Sequence, residues 1–220
     1  MSLDELNKSL RYKMVKDTSV VAQFKVIKDT RSDFRFEKAA GELSILAWTT
    51  TPWTLPSNTA LAIGEKIEYS QVNTFNQYTF KPISVVLAKE LVSRYFSEKH
   101  KDVKLGDYKP GDKAIPFEIV QTFKGSQLIG IRYEQLMSYL QPFYDADKSF
   151  QVVAGDFVTT EDGTGIVHTS PTFGADDFRV AKQNGIPALT IKDADGNERP
   201  KVDKKGKFIP EIGSHLLEGV

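Results

Sequence analysis

The sequence predicts an α+β fold: a curved or barrel-like, mostly antiparallel β-sheet with a few helices at its periphery. Two observations carry this. Stretches with apolar residues at every second position outnumber stretches with helical period. They are joined mainly by Gly, Pro and Asp turns, which suits a sheet folded back on itself rather than a doubly wound one. At 220 residues the chain is long enough for one sizeable core.

The elements follow in order. Residues 1–18 are polar and mixed in charge and read as an arm or linker, leaving 19–220 as the folded domain. Ser19 to Ile27 is rich in β-branched residues and reads as a strand; Lys28 to Arg35 is charged and turn-like. Leu43 to Thr50 is a second strand. Thr59 to Ile63 is short and apolar and closes at Gly64, Ile67 to Phe75 alternates again, and Val85 to Leu87 makes a short strand. Ala88 to Lys101 reads as a helix with Leu91, Val92, Tyr95 and Phe96 on one face. Tyr108 to Asp112 is turn chemistry. Phe117 to Phe123 and Leu128 to Ile131 bracket Lys124-Gly125-Ser126 and predict a hairpin. Glu134 to Phe143 fits neither period. Phe150 to Thr159 and Ile166 to Thr169 read as strands around the Gly163-Thr164-Gly165 turn. Asp176 to Asn184 is a helix stopped by Gly185 and Pro187. Ala188 to Ile191 is a last strand, followed by turns at Asp195-Gly196 and Gly206.

Bulk properties exclude several classes of function. With 29 basic and 29 acidic residues the chain has no net charge, so it lacks the footprint of a protein that wraps nucleic acid alone. It contains no cysteine, which removes disulfides, thiolate nucleophiles and cysteine zinc sites. There is neither a long apolar run nor a leader, so no membrane partner and a cytoplasmic location are expected by default.

Two stretches carry chemistry. The first, Trp48-Thr49-Thr50-Thr51-Pro52-Trp53-Thr54-Leu55-Pro56-Ser57-Asn58, holds both tryptophans and packs hydroxyls and an amide around two prolines. Proline interrupts backbone hydrogen bonding, and Thr51 and Leu55, each preceding a proline, are expected to be extended. The bland reading is a strand end running into a rigid loop. The second runs from Asp162 to Asp177 and contains His168, Ser170, Phe173, Gly174, Asp176 and Asp177. His100 lies in a charged segment and His215 near the C-terminus, so His168 is the histidine of interest. One aspartate of the pair suffices as a helix cap, which frees the other to point into a pocket and, ionised at a helix N-terminus, to suit an ammonium group. The residues alone do not choose between Asp176 and Asp177. A Ser/His/Asp triad lacks its Gly-x-Ser-x-Gly elbow, a metal site lacks a ligand cluster, and Gly163-Thr164-Gly165 fits no phosphate loop.

Together the two motifs, Trp-Thr-Thr-Thr-Pro-Trp-Thr-Leu-Pro-Ser-Asn and Gly-Thr-Gly-Ile-Val-His-Thr-Ser-Pro-x-Phe-Gly-x-Asp-Asp, resemble the editing domain of isoleucyl-tRNA synthetase, from about residue 19 to residue 191. The valyl and leucyl relatives typically carry Thr-Thr-Arg-Pro where this chain has Thr49-Thr50-Thr51-Pro52. The family's His-x-Gly-His and Lys-Met-Ser-Lys-Ser signatures are absent, so no amino-acid activation is expected from this chain. The resemblance implies hydrolysis of mischarged valyl-tRNA(Ile) with exclusion of isoleucyl-tRNA(Ile). A pocket built for isoleucine cannot strongly reject valine, which lacks one methylene, a limit for which this family is itself the standard illustration. By resemblance, Asp177 binds the α-ammonium of the aminoacyl group. His168 lines the side-chain pocket and helps exclude isoleucine. Thr49, Thr50 and Thr51 hold the ester, the terminal adenosine and the attacking water. Asn58 supports this wall and Trp48 shapes the pocket floor. No metal and no cofactor is implied for this domain, although the parent enzyme uses ATP. The implied partners are the 3′ end of tRNA(Ile) carrying valine and the remainder of the synthetase chain, with a monomeric domain. The rival readings are an aminoacyl- or nucleoside-binding module without turnover, and an unrelated serine- or metal-dependent hydrolase.

Overall fold

A computed structural model describes residues 18–209 apart from 101, 139, 194 and 204–206. The predicted arm before Thr18, Gly206 and His215 lie outside the described residues. The strands are β1 (Val20–Lys25), β2 (Glu42–Thr49), β3 (Ala60–Ile63), β4 (Glu68–Phe75), β5 (Pro82–Ala88), β6 (Glu118–Lys124), β7 (Gln151–Ala154), β8 (Ile166–Thr169), β9 (Ile191–Lys192) and β10 (Glu198–Arg199). The α-helices are α1 (Asp33–Phe36), α2 (Val92–Tyr95) and α3 (Ala175–Asn184), with several short 3₁₀ turns between strands.

The large sheet has the order β1-β2-β5-β4-β6 and is antiparallel except at β2–β5. A small sheet, β7-β3-β8, pairs β3 parallel to β7 and antiparallel to β8. The two sheets share one core. Phe24, Ile45 and Ala47 of the large sheet pack with Leu61, Ile63, Val152 and Ile166 of the small one. Alternation decides which side chains go there: on β3, Leu61 and Ile63 enter this core while Ala60 and Ala62 face Val180 and Ala181 of α3. Alanine on that face lets the helix lie close to the sheet. On the far side of the large sheet, Leu46, Val85 and Leu87 are covered by Val92 and Phe117. No helix among the described residues is long and apolar enough to cross a membrane.

Several elements differ from the sequence reading. The helix expected over Ala88–Lys101 is broken. Ala88 ends β5, a 3₁₀ turn spans Lys89–Leu91, α2 has four residues, and Phe96 is extended (φ −120°, ψ 119°). Phe96 packs its ring on Phe117, centroids 5.1 Å apart, and joins the Leu46 cluster, a burial that a continuing helix forgoes. The predicted hairpin is absent as well. β6 pairs with β4, and after Lys124 the chain binds the turn at 64–67 instead of itself, through Gly125 N–H to Ile67 O and Ser126 N–H to Glu65 O. Gly125 has no room for a Cβ against the Gly64 carbonyl, which explains the glycine without a hairpin turn. Leu128 to Ile131 instead runs beside β7, with Gly130 N–H on Val152 O.

The Phe150–Thr159 strand shortens to β7, because its partner β3 ends at Ile63 and Gly155 N–H takes the Ile63 carbonyl. The Ala188–Ile191 strand reduces to β9 at Ile191–Lys192, whose partner β10 offers only two residues. Within the turn-like Lys28–Arg35 stretch one helical turn, α1, forms. Helix α3 stops where expected, at Gly185 with φ 66°.

Candidate functional site

Strand β2 carries Trp48 and Thr49 to the end of the large sheet. The chain then turns through Thr51 (φ −121°, ψ 64°) into a 3₁₀ helix, Pro52–Ser57. Leu55 is helical rather than extended: Pro56 sits inside the turn, where it has no N–H to donate, and the turns on either side are closed by Thr54 N–H to Thr51 O and Asn58 N–H to Leu55 O. Thr51, the other residue before a proline, avoids the helical region but falls short of the expected extended backbone, with ψ at 64°.

The threonines form a chain of hydrogen bonds. Thr49 Oγ1 lies 3.2 Å from Thr51 Oγ1 and accepts the Thr51 N–H at 3.0 Å. Thr51 Oγ1 is 3.4 Å from Thr54 Oγ1, and Thr54 donates its hydroxyl proton to Thr51 O at 2.8 Å. That donation leaves Thr54 Oγ1 to accept from His168 Nε2 at 3.0 Å. With Thr54 donating to Thr51 O, the matching tautomer carries the imidazole proton on Nε2, and Nδ1 is buried without a hydrogen-bond partner among the described residues. His168 is 6% exposed. Burial pulls its pKa down to about 4, so the ring is neutral at physiological pH.

His168 reaches this place because β8 pairs it with Leu61 of β3, on the same face as Ile166. After β8 the chain turns into α3, whose N-cap is Gly174. Neither aspartate caps the helix. Asp176 is exposed and pairs with Arg179 at 3.2 Å. Asp177, one residue on, turns inward, and its Oδ2 accepts the Ser170 N–H at 2.9 Å. Burial raises the Asp177 pKa, and the Ser170 N–H opposes that rise. The helix itself thus separates two adjacent carboxylates into a surface ion pair and a half-buried acceptor.

These groups meet in a cleft of about 610 Å³ lined by Trp48, Thr49, Thr50, Thr51, His168 and Asp177 among others. Six of the seven predicted residues therefore come together. Asn58 does not line the cleft. It is 3% exposed, donates from Nδ2 to Ala60 O at 2.8 Å and accepts the Tyr133 hydroxyl at 2.7 Å. It fastens the end of the 3₁₀ helix to the small sheet. Sequence reasoning missed Thr54 as the partner of His168, and Trp53, Phe173, Val202 and Asp203 as lining residues. Thr54 lies three residues after Thr51, a spacing that brings both onto one 3₁₀ face, so that signal was present. Nothing local marked Val202 or Asp203. Trp48 packs on the turn at Gly163, where φ is 68° and a Cβ would come within 2.9 Å of the indole.

A second cleft, about 480 Å³, lies elsewhere against Phe75, Tyr78 and Phe96 and contains none of the predicted residues. Among the described residues no group of three or more His, Asp or Glu is placed to hold a metal ion.

The chain is 60% identical over 212 residues to an isoleucine–tRNA ligase of Cytophaga hutchinsonii, a match covering 96% of this chain and 18% of that protein. It is 51% identical over 228 residues to an isoleucine–tRNA ligase of Bacteroides thetaiotaomicron, covering 99% of this chain and 19% of that protein. The chain belongs to the isoleucyl-tRNA synthetase family. It spans less than a fifth of the length of these relatives. No family model matches it. Among solved structures, the P. knowlesi cytosolic leucyl-tRNA synthetase editing domain superposes with a TM-score of 0.51 at 11% identity, over 78% of this chain and 65% of that one. GlLeuRS-CP1 superposes with a TM-score of 0.51 at 16% identity, over 76% of this chain and 65% of that one. At these identities the likeness is one of fold. The chain has the fold of the CP1 editing domain, and the cleft lined from β2 and β8 gathers both motifs that resemble that family.

Proposed function

We propose that this chain is a hydrolytic editing domain that cleaves the ester of mischarged valyl-tRNA(Ile) and spares isoleucyl-tRNA(Ile). One observation carries the reading: the half-buried Asp177 carboxylate shares a single cleft with a neutral, buried His168 and the Thr49–Thr51–Thr54 hydroxyl chain. An aminoacyl ester presents an ammonium, an apolar side chain and an activated carbonyl, and the cleft offers a counterpart for each. Asp177 pairs with the ammonium and fixes the ester. Neutral His168 adds bulk without charge to the side-chain wall, which suits a sieve for apolar side chains. The threonine hydroxyls orient water and the ester, with Asn58 acting indirectly by anchoring their helix.

The ester is already activated, so positioning and electrostatic stabilisation supply the rate without a covalent intermediate. The reading assigns no metal and no cofactor to this domain; ATP belongs to the remainder of the synthetase chain. The substrate is the 3′ end of a tRNA held mainly by that remainder, in keeping with the zero net charge here.

The test is deacylation of valyl- and isoleucyl-tRNA(Ile) by the wild-type chain and by Asp177→Ala. We expect valyl-tRNA to be hydrolysed, isoleucyl-tRNA to be spared, and the variant to lose on the order of a hundredfold or more in rate while circular dichroism stays unchanged. Near-wild-type rates in Asp177→Ala overturn the role. Binding of a non-hydrolysable valyl-adenosine analogue without turnover identifies the chain as a binding module instead.

A further inference from the structure

Lys201 is the buried charge that the proposed chemistry does not use. It is 2% exposed, and its Nζ donates to the Pro56 carbonyl at 2.7 Å across 145 residues of sequence. Among the described residues it has no carboxylate partner, and burial lowers its pKa to about 8. An ammonium is rarely buried without a counter-ion, because its desolvation must be offset by what it holds. What it holds here is the carbonyl end of the 3₁₀ helix Pro52–Ser57. That end carries unsatisfied acceptors and the negative pole of the local peptide dipoles. The same helix bears Thr54, which accepts from His168. Its last carbonyl, Ser57 O, accepts from Ser170 Oγ at 3.1 Å, and the Ser170 N–H binds Asp177.

Lys201 therefore touches the helix on which both halves of the site depend. Its neighbours Val202 and Asp203 line the cleft. The bridge Val202–Phe208 and the bond from Ile209 N–H to Lys201 O tie the segment into a small unit of its own. Within that unit, Lys201 makes the buried polar contact with the 3₁₀ helix.

We propose that Lys201 is a positioning residue of this site, whose buried ammonium pins the Pro56 carbonyl and so holds Thr54 against His168 while seating Val202 and Asp203 as a wall of the cleft. This deepens the editing reading, yet its first test does not depend on that reading. Without the ammonium, the 3₁₀ helix loosens, water reaches the imidazole, and His168 titrates closer to an ordinary histidine. Asp177 and Asp203 are the carboxylates lining the same cleft, and both remain in the variant.

The experiment is an NMR titration of the His168 ring in the wild-type chain and in Lys201→Met, which keeps the stem and removes the charge. The expected result is a rise in the His168 pKa of about one unit or more with circular dichroism unchanged. A folded Lys201→Met with an unmoved His168 titration overturns the proposal. If Lys201→Met does not fold, Lys201→Gln is read by amide exchange at Thr54 and Asn58, whose N–H groups bond Thr51 O and Leu55 O. Faster exchange at both than in wild type supports the proposal, and equal protection overturns it. In deacylation, the folded variant is expected to lose about tenfold in kcat with KM little changed. A wild-type chain with no deacylation at all sinks the editing reading, while the His168 titration still decides the role of Lys201.

Discussion

Acid should destabilise this protein through one imidazole. An unfolded histidine titrates near 6.5, and folding pulls His168 down to about 4. Between those values the unfolded chain binds a proton that the folded chain refuses, so stability falls as pH falls. The contribution is fully present above pH 6.5, is lost progressively below it, and is gone once pH passes below the folded value. At pH 4.5 the linkage amounts to about 2–3 kcal/mol, close to its low-pH limit of about 3 kcal/mol. The raised pKa of Asp177 acts in the opposite direction, because the folded state takes up that proton first. The comparison that isolates His168 is therefore wild type against His168→Gln, in which the amide retains an N–H for Thr54. Urea unfolding followed from pH 7.5 to 4.5 should show the wild-type midpoint falling further than the variant's, by roughly 1 M at the acid end. Parallel midpoints in the two proteins, or a His168 ring that titrates near 6.5 by NMR, would refute the reasoning.

Two further outcomes test the site and its support. His168→Ala should open the side-chain wall, so that isoleucyl-tRNA(Ile) is deacylated at a rate approaching that of valyl-tRNA(Ile); an isoleucyl ester that stays protected removes His168 from the sieve. Tyr133→Phe leaves Asn58 Oδ1 buried without its 2.7 Å donor and should cost about 1–3 kcal/mol in thermal or urea unfolding, whereas a change below about 0.5 kcal/mol would show that water replaces the hydroxyl.

Much of the site was legible in the linear order of residues, because its chemistry is concentrated in two short stretches. Trp48 to Thr51 and His168 to Asp177 each sit where a strand ends, and strands ending side by side bring such stretches together. Alternation along β1 announced that strand, since Ala22 and Phe24 enter the shared core while Val21, Gln23 and Lys25 face outward. Gly185 announced the end of α3, because a left-handed residue is needed there.

The remainder was set by partners distant in sequence. Phe96 left a plausible helix because Phe117 offered it a ring to pack on. Gly125 served a close approach to Gly64 rather than a hairpin, and no local pattern distinguishes the two uses. Composition could not separate Asp176 from Asp177. The direction of α3 did so, by sending one carboxylate to Arg179 and the other to the Ser170 N–H. Val202, Asp203 and the buried Lys201 carry no local signature at all. Val202 and Asp203 line the cleft beside the point where the Lys201 ammonium reaches a carbonyl 145 residues away, and a contact of that sequence separation exists only once the sheets have packed.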